Sequence, residues 1–395
     1  MKREVYIVGM ARTPLGSFGG VLAGISAPQL GAHAIKNALL RANVAVSEVQ
    51  EVVFGNVLSA NLGQAPARQC AIFGGLNPET ICTTVNKVCA SAAKALMFAS
   101  QSIMLGHQDV MIAGGTENMS QAPFYLERNI NPLKVAHLQL IDGMLKDGLW
   151  DVYNNYHMAI AAEKACKELS ITREMQDEFC IRSYQRATEA NEKGHLVQEI
   201  SPVPITNPKT KQVTNFDKDE EYSKVIYEKI TTLKPVFQTD GTITAANAST
   251  INDGACAFVL MSREKAEKLG VKPIAAVRGF GDAEQSPEKF PTTPSKAIPK
   301  AIENAGLKAS DIDYYEIHEA FSAVAVINQK LLGISNDRLN MHGGAVSIGH
   351  PIGMSGGRII GSLITVMNRF GGRYGAIGVC NGGGGASSVV IEKMG

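Results

Sequence analysis

Two cysteines and one histidine stand where their side chains could do chemistry. Cys89 lies in NKVCASAAKA, just before an alanine-rich run with helical spacing, and Cys380 lies in CNGGGGAS. His350 lies in GHPIGMSGG, before another helical run. An imidazole can take the proton of a thiol and make it a nucleophile. A second thiol, whose pKa lies near the working pH, can move another proton.

An internal repeat assigns these groups to two related halves. AIKNALLRANVAVSEVQEVVFGN from Ala34 aligns without gaps with AIPKAIENAGLKASDIDYYEIHE from Ala297, and both read as helix, turn and strand. The offset of 263 (297 − 34) takes Cys89 to position 352, two residues past His350. It also matches DVMIAGGTEN with YGAIGVCNGGGG, so Cys380 ends a strand. The repeat predicts a duplicated α/β fold that brings the three groups together at one sheet boundary.

Composition and charge exclude several classes of partner. The 395 residues include 38 Lys and Arg against 37 Asp and Glu, so no strong field gathers nucleic acid or an anionic membrane. The apolar runs are too short to span a bilayer. The 7 cysteines form no CxxC pair, so we expect free thiols rather than disulfides or a zinc site. We expect a cytoplasmic protein, or a mitochondrial matrix protein if a transit peptide has been removed.

The middle of the sequence differs from its flanks. Residues 119–249 combine amphipathic helical spacing with polar, proline-interrupted stretches, and we predict an inserted loop domain there. The first half then covers residues 1–118 and continues over about 250–271, and the second half covers 272–395. Lys224 and Lys229 in the insertion read as solvated charges, or as a short basic cluster that holds the phosphates of an anionic ligand.

Five stretches together resemble the thiolase family, most closely its acetoacetyl-CoA thiolases. In chain order they are NKVCASAAKA, TAANASTINDGA, HEAF, GGAVSIGHPIGMSG and CNGGGGAS. The resemblance implies two duplicated βαβαβαββ halves in a five-layered αβαβα arrangement, with a loop domain over the site. It also implies a homotetramer, built as a dimer of dimers, that takes acyl-CoA in lipid metabolism and needs no cofactor for its chemistry.

The resemblance assigns a role to each reactive group. Cys89 would carry the acetyl group, with its pKa lowered by the helix start and the nearby imidazole. His350 would take the thiol proton, and Cys380 would remove a proton from the methyl carbon of a second acetyl-CoA. His350 and a water held by His318 would bind the enolate oxygen. The backbone N–H groups of Cys89 and Gly382 would bind the tetrahedral oxyanion.

Binding residues also follow from the resemblance. Those expected to bind coenzyme A are His157, Tyr184, Lys224, Lys229, Ser249, Ala320 and Phe321. DGLWDVYNNYHM and TAANAST look like the potassium-responsive branch of the family. That branch implies a potassium ion held by the Tyr184 side chain and the carbonyl oxygens of Ala245, Ala246, Ala248 and Val346.

Three features depart from the usual acetoacetyl-CoA thiolase pattern and leave alternatives open. His318 replaces the usual Asn, Ala92 replaces a commoner Gly, and HMAIAAEK replaces HMGxTAEN. We expect the last two to add bulk or charge beside the ligand channel. A degradative 3-ketoacyl-CoA thiolase of broader chain length is favoured by His318, whereas QAPFYLERN and DGLWDVYNNYHM favour the short-chain branch. A non-catalytic CoA-binding paralogue is the non-enzyme alternative, and a papain-like hydrolase does not fit the sequence around Cys89.

Overall fold

The computed structural model of the protein describes residues 3–127 and 138–395. The strands in these ranges are β1 (Val5–Arg12), β2 (Gly16–Ser17), β3 (Glu51–Gly55), β4 (Ile81–Val85), β5 (Val110–Asn118), β6 (Phe124–Tyr125), β7 (Ile141–Asp142), β8 (Trp150–Asp151), β9 (Tyr156–His157), β10 (Val203–Thr206), β11 (Val213–Phe216), β12 (Asn252–Ser262), β13 (Ala275–Glu284), β14 (Tyr314–Ile317), β15 (Tyr374–Asn381) and β16 (Gly385–Lys393). The α-helices are α1 (Ala27–Ala42), α2 (Pro66–Phe73), α3 (Ser91–Met104), α4 (Met158–Leu169), α5 (Arg173–Glu192), α6 (Tyr227–Ile230), α7 (Arg263–Leu269), α8 (Pro294–Asn304), α9 (Ser322–Leu332), α10 (Ala345–Ile348) and α11 (Ser355–Phe370).

Ten strands form one hydrogen-bonded sheet that repeats its plan. Its order is β14-β15-β16-β13-β1-β12-β5-β3-β4, with β2 paired to β12. In the first half β3 runs parallel to both β4 and β5, and in the second half β14 runs parallel to β15. In the second half, a parallel bridge between Tyr315 and Leu339 takes the place of the β3–β4 pairing of the first half. The halves meet where β1 pairs with β13 in the antiparallel direction, so the chain duplicates one α/β unit.

Helices cover the sheet in layers. α1 and α2 pack on the outer face of the first half, and α4, α8 and α9 pack on the outer face of the second half. α3 and α11 lie between the halves in the largest apolar cluster. The strands alternate sides, so Val53 faces the central helices whereas Val52 faces α1. These layers give the five-layered αβαβα arrangement that the family resemblance implies.

The sequence repeat aligns Ala42 with Ala305, and this coincidence has a structural cause. β1 and β13 each carry a register irregularity beside a glycine, Gly9 in β1 and Gly279 in β13. A methyl group on Gly9 would lie 2.6 Å from the Ala42 Cβ, and one on Gly279 would lie 2.8 Å from the Ala305 Cβ. Small residues on both partners therefore let α1 and α8 approach the sheet closely at the same point of each half.

Between β5 and β12, the described residues form three two-stranded ribbons, β6 with β7, β8 with β9, and β10 with β11. β12 then runs between β5 and β1. The predicted loop domain includes residues 128–137, which lie outside the described residues, as do the last two residues of QAPFYLERN, and its boundaries stay a prediction. No helix in the described ranges is both long enough and apolar enough to cross a membrane.

Candidate active site

Cys89 lies in the tight turn between β4 and α3. Val88, the residue before it, has a φ of 48°, in the left-handed region that β-branched residues rarely adopt. Such strain costs about 1–3 kcal/mol and persists only where neighbours enforce it. Ser91 does so here, because its hydroxyl donates to the Val88 carbonyl (2.6 Å) and accepts from the Lys87 N–H (2.8 Å). The turn therefore holds the thiol in one place at the start of α3.

His350 contacts the Cys89 thiol across the two halves. Its Nε2 lies 3.3 Å from the Cys89 Sγ, and its Nδ1 lies 2.6 Å from the Ser355 Oγ. The Ser355 hydroxyl already donates to the Pro351 carbonyl (2.8 Å), so it accepts from Nδ1–H. Nε2 is then unprotonated and can accept the thiol proton. The Asn252 side chain accepts from the His350 backbone N–H (3.0 Å) and fixes the loop.

The resting Cys89–His350 pair is neutral. Protein atoms surround the thiol, although part of it opens to a cavity, and this burial raises the pKa of Cys89 to about 12. The N–H groups of Gly382 and Cys89 point at the sulfur and oppose that rise. Burial and the charge of Arg358 lower the pKa of His350 to about 3. The expectation that the Cys89 pKa is lowered was therefore wrong, because burial outweighs the N–H groups.

His318 and Cys380 complete the cluster. His318 follows the end of β14, and its Nε2 lies 3.3 Å from the His350 Nε2. Burial, then His350 and Arg358, keeps the pKa of His318 well below its usual range, so its ring is neutral. Cys380 is buried at the end of β15, and burial and the nearby Cys89 raise its pKa well above its usual range.

A single cavity joins Cys89, His350 and Cys380 to most of the predicted binding residues. Cys89, His350, Cys380 and Gly382 line it. The predicted binding residues His157, Ser249, Ala320 and Phe321 line it as well, and the further lining residues are Gly148, Leu149, Met158, Phe290, Ile352 and Asn381. The lining is largely apolar, as in sites that bury a ligand chain and orient it by a few polar groups. Motif reading missed these six further residues, of which Asn381 adjoins Cys380 in the quoted CNGGGGAS.

Three of the residues predicted to bind coenzyme A lie away from this cavity. Tyr184 is buried in an apolar cluster with Val346. Lys229 is exposed. Lys224 is exposed too, and its ammonium donates to the Ser17 hydroxyl and lies 3.4 Å from the Glu221 carboxylate. The structure thus brings together the residues predicted near the thioester, whereas the two lysines lie on the surface.

The predicted potassium ligands come together in part. Tyr184, Val346 and Ala246 belong to one cluster, where the Cys180 thiol donates to the Ala246 carbonyl (3.0 Å). Ala248 packs in the neighbouring cluster behind the cavity, and Ala245 is exposed. Carbonyl and hydroxyl oxygens suit a hard cation, and the residues that approach one another could supply some of them. The ion stays a prediction.

Glu117 is an anchor that the motifs did not reveal. Its carboxylate accepts from the N–H groups of Val57 (3.0 Å), Leu58 (3.1 Å) and Gly353 (2.9 Å). It also accepts from the Asn56 amide (2.9 Å), while burial raises its pKa to about 7. Gly353 lies three residues after His350, so Glu117 ties the histidine loop to the first half. Its place at the end of a glycine-rich strand was the one available signal.

Ala92 does not lie beside the ligand. It is 1% exposed and belongs to the core between α3 and α11. A methyl group on Gly115 would lie 2.9 Å from the Ala92 Cβ, and one on Gly357 would lie 3.1 Å from it. The Ala92 methyl therefore points between the helices and the sheet, and the expectation that it narrows the channel was wrong.

Comparison with known proteins agrees with this geometry. The model of the thiolase N-terminal domain matches residues 5–264, and that of the thiolase C-terminal domain matches residues 271–393. The chain belongs to the thiolase family. It is 54% identical to acetyl-CoA acetyltransferase 2 of Arabidopsis thaliana over 393 residues, which cover 99% of this chain and 98% of the relative. The predicted family, fold class and acyltransferase class are confirmed.

Two further matches narrow the comparison. The chain is 50% identical to a cytosolic acetyl-CoA acetyltransferase of Gibberella zeae over 390 residues, 99% of this chain and 98% of that relative. A crystal structure of a thiolase from Ascaris suum in complex with coenzyme A superposes with a TM-score of 0.93 at 39% identity. That match covers 99% of this chain and 100% of the other.

Proposed function

We infer that this thiolase is an acetyl-CoA acetyltransferase, which condenses two acetyl-CoA molecules to acetoacetyl-CoA and coenzyme A and runs the reverse thiolysis. Its relatives of 54% and 50% identity carry that activity in their names. The observation that carries the inference is the contact of Cys89 with His350 Nε2 at 3.3 Å, in a cavity that Cys380 also lines. One thiol accepts the acetyl group while the other handles the proton of the second substrate.

The first step transfers the acetyl group to Cys89. Its sulfur attacks the thioester carbonyl as its proton moves to His350 Nε2, because the resting pair is neutral. The N–H groups of Cys89 and Gly382 donate to the oxyanion as charge develops. The C–S bond to coenzyme A then breaks, and Cys380 gives its proton to the leaving sulfur. The products are acetyl-Cys89, a protonated His350 and a Cys380 thiolate.

The second step forms the carbon–carbon bond. The Cys380 thiolate removes a proton from the methyl carbon of a second acetyl-CoA, and the enolate attacks the carbonyl of acetyl-Cys89. Protonated His350 and a water held by His318 donate to the enolate oxygen. The bond between carbonyl carbon and Cys89 sulfur breaks, and His350 returns the proton to Cys89. Every group regains its starting state, and the same groups carry out the steps in the opposite order during thiolysis.

Coenzyme A would enter past His157, Ser249 and Phe321. Support comes from the lining of the cavity and from the stacking of the His157 ring on Phe237, with centroids 4.5 Å apart. Lys224 and Lys229 would bind the phosphates of coenzyme A at the surface. Lys224 would then give up its ion pair with Glu221 to bind a phosphate. Tyr184 would act from behind the cavity, together with a potassium ion if one binds.

We also propose a homotetramer in the cytoplasm. β4 ends the large sheet, and its Ile81 is 54% exposed, with the neighbouring Phe73 of α2 61% exposed. An apolar sheet edge of this kind pairs with a second copy or risks aggregation. The cytosolic name of the Gibberella zeae relative supports the location. Light scattering and cell fractionation, with the mitochondrial matrix as the second candidate, test the two proposals.

Two assays decide between the candidate functions. Intact-protein mass spectrometry after brief incubation with acetyl-CoA, followed by peptide mapping, should find an acetyl group on Cys89. Thiolysis of acetoacetyl-CoA should exceed that of a long 3-ketoacyl-CoA, whereas the reverse preference would identify the degradative enzyme that His318 favours. Coenzyme A binding with neither acetylation nor turnover would contradict an enzymatic role and identify a binding paralogue.

A further inference from the structure

His318 and two buried side chains close to the His318–His350 pair have polar atoms that no other described residue contacts by a hydrogen bond. They are Nε and Nη1 of Arg358, Oε1 of Glu316 and Nδ1 of His318. Each side chain is at most 1% exposed. Glu316 and His318 are two residues apart along β14 and its continuation, so their side chains point to the same face of the sheet. The helix α11, which carries Arg358, packs on that strand. An unmatched buried polar atom costs about 1–3 kcal/mol, so several in one place call for a common partner.

The duplicated half shows that this arrangement is not imposed by the fold. Val53 and Gly55 stand in β3 where the second half has Glu316 and His318, at the offset of 263 seen in the sequence. Val53 is an ordinary member of the central apolar cluster. The polar pair is therefore a feature of the second half alone.

Arg358 also differs from its counterpart. α3 and α11 cross so that Ala92 and Ala93 of one oppose Gly357 and Gly356 of the other, which matches Arg358 with Lys94. The Lys94 Nζ pairs with Asp282 of β13 at 2.6 Å.

The place that corresponds to Asp282 holds a cation instead. Three residues past the irregular glycine, β13 has Asp282 and β1 has Arg12. Arg12 already pairs with Glu199 (2.8 Å) and Asp219 (2.6 Å). The strand of the other half thus offers Arg358 no carboxylate. The charged groups whose fields reach it are Glu316, Arg12, Glu319 and Glu199.

The tautomer of His318 supplies the link to function. His350 presents a bare Nε2, because its Nδ1–H bonds to Ser355. His318 Nε2 lies 3.3 Å away, and two bare nitrogens would repel each other there. His318 must therefore carry its proton on Nε2, and its Nδ1 needs a donor. Arg358, whose charge acts on His318, is a donor-only side chain, and its Nε and Nη1 donate to no described residue.

We propose that Arg358 is a positioning residue for catalysis, which acts through one buried water. The water accepts from the guanidinium and donates to Nδ1 of His318 and to Oε1 of Glu316, three bonds that are usual for a buried water. It keeps the His318 proton on Nε2, where His318 holds the water that donates to the enolate oxygen. The proposal rests on the enolate-binding role of His318 proposed above.

The test separates the two chemical steps. Arg358→Met should lower the condensation rate about tenfold or more, as loss of an orienting partner typically does, while acetylation of Cys89 changes much less. Apparent KM should stay near the wild-type value. Arg369→Met removes an exposed cation from the end of the same helix and should leave both rates unchanged.

The pH dependence gives a second readout. Arg358 opposes protonation of both imidazoles, so the acid limb of the condensation profile should move to higher pH in Arg358→Met, by about one unit. Arg358→Lys keeps the charge and should leave that limb in place while condensation still falls. Cys89, which contacts His350, and Glu316, which shares the proposed water with His318, are the other titrating groups beside the pair, and both are present in every variant.

The outcomes are distinct. Equal losses in both steps with an unchanged pH profile, or wild-type rates in Arg358→Met, would overturn the inference. If Arg358→Met fails to fold, Arg358→Lys decides, because an unchanged ratio of condensation to acetylation also overturns it. A wild-type protein without acetylation would instead contradict the proposed function.

Discussion

The helices α3 and α11 both begin with a serine, and the two serines do different work. Ser91 accepts from the Lys87 N–H and donates to the Val88 carbonyl, so it holds backbone. Ser355 donates to the Pro351 carbonyl but accepts from the His350 side chain. A serine at the start of the helix thus has a different role in each half. Ser91 fixes the turn that carries Cys89, whereas Ser355 fixes the tautomer of His350.

Replacement of Cys89, which lies in the turn that Ser91 holds, should have the largest effect on activity. Cys89→Ser should lower acetyl transfer by at least about a thousandfold, because a hydroxyl is a far weaker acid and nucleophile than a thiol. Coenzyme A binding, measured by calorimetry, should persist. Cys82→Ser, a half-buried cysteine of β4, is the control. Wild-type condensation by Cys89→Ser would refute the assignment of the nucleophile.

Cys380→Ser should affect the two chemical steps, acetylation and condensation, to different extents. Acetylation of Cys89 should still be detectable by mass spectrometry, because Cys380 acts there only on the leaving sulfur. Condensation should fall about a hundredfold or more, the usual size of a lost general base. Release of acetoacetyl-CoA, followed spectrophotometrically, checks this. If the variant condensed at the wild-type rate, another group would have to be the base.

The serine comparison predicts a smaller effect. Ser355→Ala removes the acceptor for His350 Nδ1–H and should lower acetylation about tenfold, as loss of a group that orients a catalytic side chain does. Ser362→Ala, on the same helix, is the matched control. Ser91→Ala should instead lower the melting temperature, since the strained Val88 turn loses its support. Equal stability losses in Ser355→Ala and Ser91→Ala, with no rate difference, would show that both serines serve backbone alone.

Asp282 tests the comparison between paired Lys94 and unpaired Arg358. Burial raises its pKa, but hydrogen bonds from Lys87, Lys94 and Ser387 prevail and lower the pKa to about 2. The stabilisation is therefore present above about pH 4 and lost as pH falls toward 2. Asp282→Asn should cost about 1 kcal/mol, since the carboxylate is partly exposed.

Thermal melting of the Asp282→Asn variant, with exposed Asp240→Asn as control, measures this cost. The gap to the wild type should keep its full size down to about pH 4 and narrow as the pH falls from there toward 2. A gap that stayed constant over that range would show that Asp282 stabilises by shape and not by charge.

Much of this design was accessible from sequence, and the rest depended on packing. The repeat predicted two equivalent halves because its alanines and turn residues are local signals. Cys89 stood before a distinctive alanine-rich run, and His350 and Cys380 stood in glycine-rich stretches. Protonation was missed, because burial of Cys89 and His350 is a property of the assembled site. Glu117 and Arg358 were missed because their importance lies in contacts between distant segments, which no short motif contains.

Ala92 should show the smallest effect and the clearest contrast between motif and structure. Motif reading put it beside the ligand, whereas its methyl packs between α3 and α11. Ala92→Gly should therefore leave KM for acetoacetyl-CoA within about twofold of wild type. It should cost about 1 kcal/mol of stability, because glycine weakens a helix interior and the methyl leaves a gap. Ala99→Gly on the same helix is the control. A changed chain-length preference in Ala92→Gly alone would show that this helix start reaches the acyl group after all.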